Sequence, residues 1–292
     1  MHILITGGTG LIGSALCKAL LADGHQLTVF SRAERRDQHG VRFIRAFSQC
    51  AGPVDAVVNL AGAGLADRRW TTAYKREIWA SRVEFTSDLV AWMAGQTESP
   101  KRLISGSAIG FYGADAEATF TEGAPLGAGF SADLCHAWEQ AADKAKHAGV
   151  SVTRLRLGVV LAKEGGALGK MTQSFRVGVE TWLGSGEQWL SWIHIDDAVR
   201  VILFALRKAS DTPVYNAVAP EPVQHLRFAS EVGKRTFTLM RAGVPAGVAL
   251  LLAGEMAEEL LLGGQRVLPE QLSSEGFSFR FPTLADALDD LL

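Results

Sequence analysis

Residues 5–13 read ITGGTGLIG, with glycines at 7, 10 and 13. A G-x-x-G-x-x-G spacing between an apolar run and a helical one turns a strand sharply into a helix. The turn runs through Gly7, Thr9, Gly10, Leu11, Ile12 and Gly13. It presents backbone N–H groups and the positive end of a helix dipole to a pyrophosphate, which side chains at the glycine positions would block. The chemistry this predicts is dinucleotide binding. Which dinucleotide depends on the end of the second strand, where NAD sites carry a carboxylate for the ribose hydroxyls. VFSR puts Ser31 and Arg32 there, followed by Arg35 and Arg36. A guanidinium welcomes a phosphate, so the pattern favours NADP(H), with a solvated basic loop as the plain alternative. Small residues in NLAGAG, including Leu60, Ala61 and Gly62, let the backbone approach the adenine side and ribose of such a cofactor.

Positioning these residues requires a particular order of elements. HILIT, QLTVF, VRFI, AVVNLA, RLISGS and TRLRLGVVL are short apolar runs, with helical stretches near 12–22, 72–94 and 133–148 between them. Nearly unbroken apolar strands alternating with amphipathic helices predict an α/β fold, a doubly wound parallel sheet of Rossmann type. Residues 1–161 are expected to form the NADP-binding domain. Residues 162–292 are expected to supply the substrate side and a smaller, mostly helical C-terminal lid, with 192–216 returning to the sheet. Asp196 or Asp197 is suited to cap the helix after WIHI, and Thr283 to cap the last one, with Asp286 three residues on.

The composition excludes several classes. With 48% hydrophobic and 21% charged residues, the chain reads as a soluble globular protein, and its net charge of −2 gives no pull toward nucleic acid or an anionic membrane. Three cysteines, Cys17, Cys50 and Cys135, make no metal-type pair and leave an odd thiol, so no metal site and a cytoplasmic location are expected. MHILITGG enters a strand pattern at once and is not expected to be a targeting peptide. The apolar stretch VPAGVALLLAGEMAEELLLGG is interrupted by Glu255, Glu258 and Glu259, too charged for a membrane span.

TGGTGLIG, NLAGAG, ISGSAIGFYG and WIHIDD together resemble the short-chain dehydrogenase/reductase (SDR) superfamily in its extended, NAD-dependent epimerase/dehydratase-like form. SRVEFTSDLV, LCHAWEQAA, GEMAEELLLGGQRVLPEQL and GFSFRFPTLADAL resemble, more narrowly, its atypical epimerase family branch (YfcH-like), with a small C-terminal domain of unknown function. The resemblance covers nearly the whole chain and departs from the pattern after Asn216.

In that superfamily a serine orients the substrate carbonyl, a tyrosine exchanges its proton, and a lysine four residues later lowers the tyrosine's pKa. Ser107 fits the serine, with Ser105 as the alternative on the cofactor side. The chain's three tyrosines are followed four places later by Ile78, Ala116 and Ala219, so no Tyr-x-x-x-Lys exists. Tyr112, Glu139, Cys135 and His136 are the substitutes the sequence offers, Tyr112 first. The resemblance places Arg82 where related proteins approach the cofactor, to meet the pyrophosphate or a substrate phosphate, with a surface ion pair as the plain alternative. Arg36 joins Arg32 as a cofactor candidate from the basic loop itself, while Arg156 sits in an apolar run and needs a partner. It also implies a homodimer pairing helices 72–94 and 133–148. Reductase chemistry on a small carbonyl or nucleotide-sugar-like compound is expected ahead of epimerisation, which must remove and restore hydride on opposite faces. Loss of the dyad beside an intact binding loop favours, as the alternative, a non-catalytic NADP(H)-binding redox sensor or scaffold.

Overall fold

Seven apolar runs build the sheet: β1 (His2–Thr6), β2 (Gln26–Phe30), β3 (Val41–Ile44), β4 (Ala56–Asn59), β5 (Arg102–Ala108), β6 (Ser151–Leu157) and β7 (Val214–Ala217). In the computed structural model, which describes residues 1–208 and 212–292, they pair in the order β7-β6-β5-β4-β1-β2-β3, every pair parallel. Residues 209–211, inside the 192–216 segment expected to return to the sheet, lie outside the described residues.

The sheet is covered on both faces, which is why its strands are apolar runs rather than alternations. Ile3 and Ile5 face one core, against Leu16 and Leu20 of α1 (Leu11–Ala22); Leu4, Val57 and Leu103 face the other, against Leu89 and Met93. The second layer holds α2 (Thr72–Trp79), α3 (Phe85–Ala94) and α4 (Phe130–Asp143), while α5 (Ile195–Arg207) packs beside α1. A π-turn, Ala80–Glu84, joins α2 to α3. Strand order reverses between β1 and β4, and the crevice outside the carboxyl ends of the strands at such a point is where ligands bind in open α/β sheets.

The C-terminal region is mostly helical, as the sequence suggests. It also adds short strands: Met240–Val244 pairs with Val179–Leu183, and Gln265–Val267 with Asp115–Phe120. Their partners lie far away in the chain, so no local periodicity announces them. Thr283 caps the last helix by accepting from the Asp286 amide. The cap of α5 differs from expectation. The helix starts at Ile195, two residues earlier than a cap at Asp196 requires, so His194 is the cap, its Nδ1 accepting from the Asp196 amide at 3.1 Å. Asp197 instead accepts from the amides of Arg280 and Phe281, both at 2.8 Å, tying the C-terminal segment to the sheet side. Among the described residues no helix is long and apolar enough to cross a membrane.

Candidate functional site

The glycine turn forms the first part of the site. Gly7 has φ +68°, a left-handed conformation, and a side chain there would collide with the Leu60 carbonyl. A side chain on Gly13 would strike the Gly7 carbonyl, so this glycine lets α1 close on β1. Gly10 differs from both: its side-chain direction meets only the Gly7 oxygen at 3.3 Å, and Thr9 and Gly10 are exposed. No side chain caps α1 and no acidic residue stands in its first turn. The open helix end suits an external anion, and a pyrophosphate fits the cradle.

The second part lies at the ends of β2 and β4. Ser31 is buried, with its hydroxyl donating to the Ala33 carbonyl at 2.8 Å. That bond shapes the turn presenting Arg32, Arg35 and Arg36, which are exposed and enter no ion pair among the described residues. Leu60, Ala61 and Gly62 follow β4 at the crevice mouth, half-buried to exposed. Behind them, Asn59 accepts from Thr6 Oγ1 at 2.6 Å and donates to Thr86 Oγ1 at 2.8 Å and Ser105 Oγ at 3.4 Å. Ser105 is fully buried in this network, which joins three strands to α3. Arg82 rises from the π-turn with its guanidinium against Gly62, and burial holds its pKa below the ordinary value.

A third part gathers the residues considered for chemistry. Ser107 Oγ donates to Glu139 Oε1 at 2.7 Å. Arg156 grips the same carboxylate with both arms, Nε to Oε1 at 2.8 Å and Nη2 to Oε2 at 3.0 Å, and its Nη1 donates to the Tyr112 hydroxyl at 3.0 Å. Tyr112 in turn donates to Asn216 Oδ1 at 2.6 Å. Ser107, Tyr112, Glu139 and Arg156 are each at most 4% exposed. Burial pushes the Tyr112 phenol above its ordinary pKa, against the opposing pull of Arg156. Ser107, Tyr112 and Glu139 thus come together in one closed chain, where both hydroxyl protons already have acceptors. Arg156, the charge in an apolar run, finds its partner in Glu139. Cys135 is buried nearby with its thiol pushed up to about 11 by burial, and His136 bonds to Gln140 on the helix surface.

Sequence reasoning did not single out Asn59, Thr86, Asn216 or Glu122, whose carboxylate accepts from the Asn216 amide at 3.0 Å. A polar residue in each of two apolar strands, Asn59 ending β4 and Asn216 next to the end of β7, was the available signal. A cavity of about 1020 Å³ opens beside the glycine turn, reaching Thr9, Gly10, Leu11, His194 and Arg200 between α1 and α5. It does not extend to the Ser107–Glu139 chain.

Comparison with known proteins gives the family and the fold. Residues 3–218 match the model of the NAD dependent epimerase/dehydratase family, and residues 244–291 that of a domain of unknown function, DUF1731. The chain is 35% identical to epimerase family protein SSP1921 of Staphylococcus saprophyticus, covering 100% of this chain and 99% of that protein. It is 37% identical to epimerase family protein MT2273 of Mycobacterium tuberculosis, over 98% and 96% of the two chains. Among solved structures, human epimerase family protein SDR39U1 (isoform 2) with NADPH superposes with a TM-score of 0.89 at 31% identity, covering 100% of this chain and 99% of that one.

Proposed function

The chain belongs to the NAD dependent epimerase/dehydratase family, as an atypical SDR protein with the DUF1731 domain, and we propose that it binds NADP(H) and exchanges hydride with a small carbonyl or nucleotide-sugar-like compound. The observation that carries the cofactor choice is the exposed Arg32 beyond β2, in no ion pair among the described residues, at a strand end that carries no carboxylate for the ribose. The human relative solved with NADPH supports the same choice. We assign residues 1–161 to the cofactor and 162–292 to the substrate side, with 192–216 returning to the sheet.

Within this reading the first-turn amides of α1 hold the pyrophosphate, Arg32 with Arg36 holds the 2′-phosphate, and Leu60 to Gly62 lie along the adenosine side. When bound, the reduced nicotinamide supplies a hydride. Glu139 fixes the direction of the Ser107 hydroxyl, and Arg156 fixes both Glu139 and Tyr112. Neither hydroxyl proton is free, so the proton that completes a reduction comes from solvent, and the Ser107 oxygen, its own proton given to Glu139, orients the substrate by accepting from a hydroxyl beside the reacting carbonyl. Positioning alone accounts for a large part of such a rate.

A second reading is favoured by that same closed chain: a redox sensor that binds NADP(H) without turnover. Mixing NADPH-loaded protein with nucleotide sugars, quinones and small aldehydes, and following the absorbance of the reduced cofactor, separates the two. Oxidation above a protein-free control supports hydride transfer; bound NADPH that is never oxidised across the panel supports the sensor.

A further inference from the structure

Exposed large apolar side chains are unevenly spread over this chain. Phe237, Leu239, Leu251 and Leu252 are each between 70% and 75% exposed, and Met240 and Val248 stand out beside them. Among the described residues, none of the exposed large apolar side chains lies on α2, α3 or α4. The apolar surface that lacks cover belongs to the C-terminal region.

That face has a simple build. Phe237, Leu239 and Met240 lie at the start of the strand Met240–Val244, and Val248, Leu251 and Leu252 lie on the helix Ala246–Ala253 that follows it. The strand pairs on one side, with Val179–Leu183, and no third strand joins the two among the described residues. Its outer edge leaves backbone donors and acceptors open to another strand. The helix reads AGVALLLA, apolar all round, yet it buries only Ala249. A helix of that composition is normally enclosed.

Area, charge and symmetry point to one occupant. At about 150 Å² for each fully exposed side chain, the six expose roughly 600 Å² of apolar surface. That is the upper end of what a single soluble chain leaves uncovered, about 300–600 Å². One partner of a stable interface contributes about 800 Å², somewhat over half of it apolar, so the face is of the size a dimer needs. From Thr236 to Gly254 the one charged residue is Arg241, and the buried Glu180 carboxylate holds it at 2.7 Å. An identical neutral face meets this one without like-charge repulsion, whereas an anionic membrane or a charged peptide finds no counter-charge. Antiparallel pairing of two copies of the strand about its middle sets the start of one strand against the end of the other. The group at Phe237–Met240 of each copy then meets the helix group at 248–252 of the other, and both are covered.

We propose that this face binds a second copy of the chain, strand edge to strand edge. The helix runs on to Glu255, which pairs with Lys75 of α2 at 2.7 Å. It then reaches Glu259, which accepts from the amides of Phe130 and Ser131 at the start of α4, both at 2.8 Å. Association therefore braces the segment that ties the C-terminal region to the crevice wall.

The test is sedimentation velocity on the full chain from about 1 μM to about 100 μM, as wild type, Leu239→Glu, Leu251→Glu and an off-face control, Leu126→Glu. All three positions are exposed, so the variants are expected to fold, which circular dichroism checks; Met240→Glu or Val248→Glu replaces a face variant that does not. A dimer in wild type and control, with a dissociation constant raised roughly hundredfold by each face variant, supports the proposal. An unpaired charge costs about tenfold or more, and the two-fold axis enters it twice. A wild type that stays monomeric throughout overturns it, and co-flotation of that monomer with phosphatidylcholine vesicles would make lipid the occupant instead. A dimer equally stable in both face variants also overturns it, and puts the contact on another face.

Discussion

Replacing Glu139 with glutamine tests the buried chain under the crevice. Glu139 is 3% exposed and accepts from Ser107, from two nitrogens of Arg156 and, at 3.4 Å, from Arg154. An amide keeps one acceptor oxygen and turns a donor toward a guanidinium, leaving Arg156 buried without its counter-charge. Breaking such a pair from one side costs about 3–5 kcal/mol. At about 2.1 cal/mol/K of unfolding entropy per residue, this chain of 292 residues loses roughly 0.6 kcal/mol per degree near its midpoint, so E139Q is expected to melt about 5–8 °C lower. Scanning calorimetry on wild type, E139Q, R156M and the double variant reads this directly. The double variant, which removes both charges, is expected to lose less than the sum of the singles, with a coupling of about 0.5–3 kcal/mol. An E139Q midpoint within about 1 °C of wild type, the range of a neutral surface change, would refute the reasoning.

Three further outcomes are expected. Gly10→Val should fold, because the only atom its Cβ meets, the Gly7 carbonyl oxygen at 3.3 Å, need give by only a few tenths of an ångström, and should lose dinucleotide binding in equilibrium dialysis; retained affinity would show that the turn does not hold the pyrophosphate. His194 and His225 are both held below 6.5, primarily by burial. A base with a depressed folded pKa contributes stability that is present above its unfolded pKa and is lost as pH falls through about 6.5 toward the folded value. Urea midpoints should therefore drop across that window, and less steeply in a His225→Phe variant; an identical slope would remove His225 from the account. Cys135 should resist alkylation in the folded protein near neutral pH, given burial and a thiol pushed up to about 11, and rapid labelling of it, located by peptide mass, would contradict that placement.

Much of the sheet was legible because both of its faces are buried: HILIT and AVVN need to be apolar throughout, and the glycine turn needs glycines at 7 and 13 for steric reasons that the sequence itself carries. Arg156 announced that it required a partner, since a charge in an apolar strand cannot stand alone, yet the pattern could not name Glu139, which arrives from a helix packed on the sheet. The cap of α5 depended on a difference of two residues in where the helix begins, and local propensity does not fix that. The strands at Met240–Val244 and Gln265–Val267 exist only through distant partners. That Arg82 has no counter-ion among the described residues was invisible in one dimension, because it follows from which carboxylates the fold leaves out of reach.

The measurement that bears most directly on the central claim is a paired titration of wild type and R32A with NADPH and NADH. The account predicts NADPH bound roughly tenfold or more tightly than NADH by wild type, with R32A losing most of that difference while its NADH affinity barely changes. Equal affinities in wild type, or an equal loss of both cofactors in R32A, would contradict it.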